Sequence, residues 1–367
     1  MAYTIVLLPG DGIGPEVMAA GRHILETLAE LRGLEIAIEE HAIGGEAVDA
    51  MDTPLPRATR AACEAADAVL LGAVGGPAWN DLPREMRPET GLLELRRALG
   101  LFANLRPILA RPATVTRSPV KREVAEGSDI LFVRELTGGI YFGEKGEDEA
   151  GAFDHCRYSP AEIERVVHLA ARNAQRRRGR LTLVDKANVM ETSRLWRRLA
   201  TEIVARDYPD LEFETVLVDA ASMALITRPR DFDVIVTENL FGDILTDEAS
   251  VLAGTIGVVP SASLGSGRRG LYEPVHGSAP DIAGMGRANP VGMIESVALL
   301  LEHSLERIAD AGLVRRAVSD TLKAGIMTPD LGGTEDTGHV AAAIAGAMER
   351  LEAKSDERGY ANTQERG

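Results

Sequence analysis

The sequence predicts an α/β protein of two domains, with parallel or mixed sheets flanked by helices. Three observations carry this reading. The 367 residues suit about two domains at the usual ~150 residues each. Strand-like and helix-like segments alternate along the first seventy-five residues. Glycine is abundant, with 37 residues, while aromatics are only 4%, a composition common in α/β enzymes.

Tyr3–Leu8 is an apolar, β-branched run that ends at Pro9-Gly10. Val17, Ile24, Leu25, Leu28 and Leu31 then recur at helical spacing from Pro15 to Leu31. Leu34, Ile36 and Ile38 alternate as in a strand, Arg57–Ala66 reads as a helix, and Asp67–Val74 as a strand. Such alternation implies parallel pairing with right-handed crossovers. Further on, strands are expected at Ile130–Arg134, Gly139–Phe142, Leu181–Asp185, Phe213–Asp219 and Phe232–Thr237. Helices are expected at Pro160–Arg178, Glu191–Asp207, Gly242–Gly254, Val291–Ile308 and Val340–Leu351. Ser159 and Pro160 supply a cap and a first-turn proline for the first of these. Arg176-Arg177-Arg178 reads as a solvated, dipole-favoured helix end. From Lys354 on, the chain turns polar and is expected to be a frayed tail.

Charge and composition exclude several classes. Lys and Arg total 40 against 56 Asp and Glu, a net charge of −16, which argues against nucleic acid and anionic membrane surfaces as partners. No apolar run reaches the ~18 residues of a membrane span, and no signal peptide is visible. Two cysteines, Cys63 and Cys156, do not make a disulfide framework, so a reducing cytoplasm is expected.

Gly10-Asp11-Gly12-Ile13-Gly14-Pro15 follows a strand and opens a helix, yet the third glycine of a G-x-G-x-x-G fingerprint would fall on Pro15. A Rossmann phosphate loop is therefore rejected, which leaves a structural glycine turn or a functional loop of another kind. Asp243 and Asp247 are four residues apart on an expected helix and share one face. They read either as first-turn acids that favour the helix dipole or as ligands of a hard cation, Mg²⁺ or Mn²⁺. Asp219 ends an expected strand in the same half. Arg96, Arg106 and Arg134 lie beside turn-like stretches; each alone reads as a surface or ion-paired arginine. Three of them near a carboxylate cluster point to an anionic, metal-chelating substrate. Lys186 at a strand end and Tyr141 between glycines read as partly buried side chains or as a base and an acid. His276–Gly284 is a loop of small residues, structural or able to let a backbone approach a ligand. Asp281 there suits two ribose hydroxyls and would repel a 2′-phosphate, favouring NAD over NADP.

These segments together resemble the isocitrate/isopropylmalate dehydrogenase family of β-decarboxylating dehydrogenases. The resemblance runs from Leu7–Glu16 to about Gly333 through Val74-Gly75-Gly76-Pro77, Asn104-Leu105-Arg106-Pro107, Arg134–Gly143, Val184–Val189, the aspartate helix and the His276 loop. The isopropylmalate branch is closer than the isocitrate, D-malate and tartrate branches across Gly75–Leu105 and Leu136–Gly143.

The resemblance implies a two-domain fold that is not Rossmann. A discontinuous large domain (1–101 plus 255–353) would carry the NAD loop. A small domain (102–254) would carry dimerisation and the metal and substrate ligands, and residues 354–367 would be a flexible tail. It also implies NAD-dependent oxidative decarboxylation of 3-isopropylmalate in leucine biosynthesis, in a cytoplasmic homodimer with shared active sites. Arg96, Arg106 and Arg134 would grip the substrate carboxylates, and Leu92, Leu93 and Val189 would receive the isopropyl group. Asp243 and Asp247 would bind Mg²⁺ or Mn²⁺ with Asp219 of the other subunit, which also contacts substrate. Lys186, from the partner, would be the base and Tyr141 the acid. Glu89 would sit near the nicotinamide, while His276, Gly277, Ser278, Ala279, Asp281, Ile282 and Asn289 would hold the adenosine end.

Overall fold

The computed structural model describes the backbone of residues 2–364 and the side chains of residues 2–354. The chain divides into two compact units. The first comprises residues up to Leu99 together with Gly257–Ala262 and the chain from Gly267 on; the second comprises Gly100–Ile256 and Ser263–Ser266.

The first unit opens with β1 (Tyr3–Gly10), α1 (Gly14–Arg32), β2 (Ile36–Glu40), α2 (Gly45–Met51), α3 (Arg57–Ala65), β3 (Ala68–Ala73) and α4 (Pro88–Ala98). β1 lies between β2 and β3 and pairs in parallel with both. The sequence shows why these strands sit centrally. Ile5–Leu8 and Ala68–Leu71 are continuous apolar runs, and each is fully buried, as parallel strands covered on both faces must be. Helix α1 places Val17, Ile24, Leu25 and Leu28 on its buried side and stops at Gly33, whose φ of 59° suits a left-handed cap.

In the second unit run β4 (Ala103–Leu109), α5 (Arg122–Ala125), β5 (Asp129–Glu135), β6 (Lys145–Asp148), β7 (Gly151–Asp154), α6 (Pro160–Gln175), β8 (Arg180–Asp185), α7 (Glu191–Asp207), β9 (Glu212–Leu217), α8 (Val218–Thr227), β10 (Val234–Thr237) and α9 (Asn239–Ser250). Its sheet has the order β4-β5-β10-β8-β9. β5, β10, β8 and β9 are parallel, and β4 is antiparallel to β5. β6 and β7 form a separate antiparallel hairpin. Ser159 and Glu162 close the expected N-terminus of α6 with a reciprocal capping box.

β11 (Pro260–Leu264) is divided between the units at Ala262, and β12 (Gly270–Pro274), α10 (Val291–His303), α11 (Ile308–Lys323) and α12 (Thr337–Gln364) complete the first. β12 pairs in parallel with β3. No described helix is long and apolar enough to cross a membrane.

Several expected elements differ. Gly139–Phe142 is not a strand. Gly139–Tyr141 is a single 3-10 turn, because Gly139 takes a positive φ of 73° and its N–H donates to the carbonyl of Arg157. Asp219 does not end a strand but lies in the first turn of α8. Arg96 sits on α4, opened by Pro88, and Arg106 sits in β4, so neither flanks a turn. The single helix expected over Val291–Ile308 ends at His303, and Ile308 starts a second. Where a frayed tail is expected, α12 continues to Gln364, since its sequence holds good helix formers and no glycine between Gly346 and Gly359. Residues 365–367 lie outside the described residues.

The arginine run also departs from a solvated helix end. Arg177 Nε and the Arg178 backbone N–H both donate to Asp233, each at 2.8 Å. Arg177 also reaches Asp129 at 2.7 Å. Asp233 is fully buried, so the ion pair anchors the starts of β5 and β10 in the middle of the sheet. Asp233→Ala strands buried cationic donors and should cost about 3 kcal/mol. Urea unfolding measures this, and an unchanged midpoint would contradict the anchoring role.

Candidate active site

In the second unit, strand register gathers the charged groups. Thr237 of β10 pairs with Arg134 of β5, and α9 starts two residues after Thr237. Asn104 of β4 lies opposite Arg134. Arg106, two residues beyond Asn104, projects to the same face. The Glu238 side chain caps α9 by accepting the Phe241 N–H at 3.0 Å. Gly242 lets the Arg134 stem pass, since a Cβ there would lie 2.6 Å from Arg134 Cγ.

Asp243 and Asp247 project from α9 toward these arginines. Arg134 Nη1 donates to Asp243 Oδ1, and Tyr141 Oη donates to Asp243 Oδ2 at 2.6 Å. Arg106 Nη1 donates to Asp247 Oδ1 at 3.1 Å and to Thr246 Oγ1 at 2.6 Å. Both guanidinium groups are nearly buried: Arg134 is 4% and Arg106 9% exposed. Two amides hold them in place. Arg106 Nε donates to Asn104 Oδ1 at 2.8 Å, and Arg134 donates twice to Asn239 Oδ1, at 3.0 and 2.7 Å.

The electrostatics follow from this packing. Burial raises the Asp243 pKa most, but the Arg134 charge, the Tyr141 hydrogen bond and the Arg106 charge together outweigh it and hold the carboxyl below its ordinary value. Burial keeps Asp247 above its ordinary value, with Arg106 opposing and Asp243 adding to the rise. Burial and the bond to Asp243 push the Tyr141 hydroxyl up to about 12, so it holds its proton at neutral pH. Two hard carboxylates with no thiol or imidazole beside them fit Mg²⁺ or Mn²⁺ rather than zinc. Among the described residues, no group of three acidic, histidine or cysteine side chains converges to hold a metal.

Asp219 and Lys186 form their own pair in this unit. Lys186 Nζ donates to Asp219 Oδ1 at 2.9 Å, and that bond lowers the Asp219 pKa. Lys186 follows Asp185, whose carboxylate takes two bonds from Arg197 at 2.7 and 2.8 Å. Val189, three residues on, is 64% exposed.

The first unit holds the other expected residues. Arg96 pairs with Glu273 at 2.5 Å, and its Nε is buried without an acceptor among the described residues. Leu92 and Leu93 lie on the same helix, partly exposed. Glu89 packs over Gly75, where a Cβ would lie 2.4 Å from its Oε1.

The loop from His276 to Asn289 is pinned from below by the glycine turn after β1. Ile13 N–H donates to the Ser278 carbonyl at 2.7 Å. A Cβ on Gly12, where φ is 59°, would lie 2.0 Å from that oxygen. Glu16 accepts from the Gly286 and Ala288 N–H groups at 3.2 and 2.9 Å. His276 Nε2 is buried and unpartnered among the described residues, and burial lowers its pKa. A neutral imidazole with an unmatched nitrogen beside exposed Gly277 and Asp281, near Ala279 and Ile282, fits a nucleotide. Asn289 is 6% exposed, donates to Asp330 and accepts the Val291 N–H at the start of α10.

Sequence reasoning missed Asn104, Asn239, Glu273 and Glu16. Asn104 carried a signal through its motif with Arg106, whereas Asn239 lies just outside the expected aspartate helix. The turn at Gly12 is structural, since it supports the His276 loop. A cavity of about 830 Å³ beside α1 and α2 is lined by Met18, His41 and Trp79, but none of the expected site residues border it.

Comparisons with known proteins agree with this architecture. Residues 4–344 match the isocitrate/isopropylmalate dehydrogenase family, and the chain belongs to that family. It is similar to the 3-isopropylmalate dehydrogenase of Rhodopirellula baltica, with 51% identity over 95% of this chain and 98% of the relative. It is also similar to that of Anaeromyxobacter dehalogenans, with 54% identity over 92% and 97%. Among solved structures, isocitrate dehydrogenase from Methylococcus capsulatus superposes with a TM-score of 0.85 at 35% identity, covering 94% of this chain and 99% of that one.

The Gly12 contact yields a test. Gly12→Ala must displace the Ser278 backbone, so it should raise the KM for the nucleotide cofactor about tenfold, roughly 1.4 kcal/mol, with the substrate KM little changed. An unaltered nucleotide KM would remove the turn from cofactor binding.

Proposed function

We propose that this protein catalyses the NAD-dependent oxidative decarboxylation of (2R,3S)-3-isopropylmalate to 4-methyl-2-oxopentanoate and CO₂ in leucine biosynthesis. The observation that carries the reading is the carboxylate pair Asp243 and Asp247, clasped by Arg106 and Arg134 with the Tyr141 hydroxyl alongside. Such a site offers hard oxygens to a divalent cation and guanidinium forks to carboxylates. The names of close relatives support the substrate. Leu92, Leu93 and Val189 support it as well, because a malate or tartrate leaves those methyl groups without a contact.

In this reading Arg96, Arg106 and Arg134 hold the two substrate carboxylates. Asp243 and Asp247, with Asp219 of a second copy of the chain, hold Mg²⁺ or Mn²⁺. His276–Ile282 receives the adenosine end of NAD, with Asp281 on the ribose, Asn289 bracing the loop and Glu89 toward the nicotinamide. When bound, the cation polarises the C2 oxygen and the nucleotide accepts hydride. Lys186 Nζ, deprotonated beside the cation, takes the C2 hydroxyl proton as C2 loses its hydride. The C3–carboxylate bond then breaks to release CO₂, and Tyr141 Oη protonates C3. The hydroxyl proton is thus balanced by the one delivered to C3. The elevated Tyr141 pKa suits an acid that must still hold its proton at that step.

A homodimer is part of the proposal. Helices α8 and α9 are linked by Ser222 Oγ donating to Glu248 at 3.0 Å, and they expose Met223, Ile226 and Ile244 at 65%, 37% and 58%. An apolar patch of this kind suits a self-complementary contact between two copies. It adjoins Asp219 on α8 and Asp243 and Asp247 on α9, so such a contact brings one copy's Lys186–Asp219 pair toward the other's aspartates. The same reading places the enzyme in the cytoplasm.

The test is a substrate panel. Purified protein with Mg²⁺ or Mn²⁺ should reduce NAD⁺ on 3-isopropylmalate in preference to D-malate and isocitrate, read as NADH absorbance. Preference for D-malate would overturn the substrate, and no NADH with any of the three would overturn the activity.

A further inference from the structure

We propose that Asn239 is a positioning residue that couples the substrate-gripping Arg134 to the turn bearing Tyr141. The inference rests on the roles given above to those two residues, and it adds a residue that touches neither substrate nor cofactor.

The geometry is specific. Asn239 opens α9 and is 1% exposed. Its Oδ1 accepts from both Nε and Nη2 of Arg134, at 3.0 and 2.7 Å. Its Nδ2 donates to the Gly138 carbonyl at 3.3 Å, and Gly138 leads directly into the Gly139–Tyr141 turn. One side-chain amide therefore spans the two groups, the acceptor end on the guanidinium and the donor end on the turn. Its backbone is held as well: the Asn239 N–H donates to Tyr158 Oη at 3.0 Å, and Tyr158 Oη donates to Glu238 at 3.0 Å. The Tyr158 ring covers the turn, since a Cβ on Gly138 would lie 2.6 Å from it.

Arg134 and Tyr141 converge on the two oxygens of Asp243. The ring of Tyr141 also lies under the guanidinium, 5.6 Å from its carbon. The hydroxyl and the guanidinium thus keep their relative placement only if strand β5 and the turn after it stay in register. The strand ends at Glu135, and the Asn239 amide bridges Arg134 to the turn beyond that end. An amide suits this task, because it accepts at one atom and donates from another without charge.

Two variants separate the functions of its two ends. Asn239→Asp keeps an acceptor for Arg134 but sets a carboxylate oxygen against the Gly138 carbonyl, which drives the turn away. It should leave the KM for 3-isopropylmalate within about threefold and lower kcat about thirtyfold, the scale of a misplaced catalytic group. Asn239→Ala removes both bonds and should also raise KM, by about tenfold. The decisive readout is a cycle with Tyr141→Phe. If Asn239 acts through Tyr141, then Asn239→Asp costs at most about twofold more once the hydroxyl is gone. Additive losses, or equal changes of KM and kcat in Asn239→Asp, would overturn the proposal.

Asn239→Asp is nearly isosteric, so a folding failure of the alanine variant does not block the test. The cycle is run on whichever 2-hydroxy acid the wild type oxidises, so a wrong substrate assignment shows in the wild type alone. A crystal structure of Asn239→Asp gives the answer without turnover. Loss of the Tyr141–Asp243 contact supports the coupling, and an unmoved turn overturns it.

Discussion

Asp243 carries a half-buried negative charge beside Asp247, one helical turn away, and like charges at that spacing destabilise a helix unless cations face them. Arg134 and Arg106 are those cations. Much of the second unit serves to bring them there. β4 runs antiparallel to β5 and β10 parallel to it, so Asn104, Arg106 and Arg134 share the face toward α9. The missing side chain of Gly242 makes room for the Arg134 stem, and the amides of Asn104 and Asn239 fix the guanidinium planes. Buried guanidinium groups keep their charge, which favours the ionised form of Asp243. The same arrangement gives the Tyr141 hydroxyl an acceptor and keeps it protonated.

The first unit answers a different constraint, the support of a loop that must leave its backbone open. Small residues from His276 to Gly286 cannot pack a core of their own. The glycine turn after β1 and Glu16 therefore supply their hydrogen bonds from beneath. This explains why Gly10–Gly14 resembles a dinucleotide fingerprint without being one. Its glycines fit close backbone contacts to Ser278 and to Ala73 rather than to a pyrophosphate.

Much of the fold was legible because burial writes itself into periodicity. β1 and β3 hold continuous apolar runs, and α1, α6 and α7 carry apolar residues at helical spacing. The elements that were misread lack such a pattern. Thr215–Val218 is a β-branched and apolar run that crosses from β9 into α8, so the start of α8 looks like a prolongation of β9 and Asp219 like a strand end. The Gly138-Gly139 pair permits a turn that apolar Ile140, Tyr141 and Phe142 disguise as a strand. In the cluster on α9, the charged residues with a chemical signature were named from the sequence: Arg106, Arg134, Asp243 and Asp247. The groups that orient them were not, because an asparagine's partner lies as much as 105 positions away in the chain. The net charge of −16 is reconciled with an anionic substrate in the same way, since a few buried cations set the local field.

In the proposed dimer, active sites are shared between two copies, with Lys186 and Asp219 facing the other chain's Asp243 and Asp247. A hybrid dimer of Lys186→Ala and Asp243→Asn chains measures this directly. With each variant homodimer inactive, the purified hybrid should recover about half the wild-type rate, because two-fold symmetry leaves one intact site of two. A hybrid as inactive as its parents would contradict the account and place Lys186 and Asp243 of one chain in the same site.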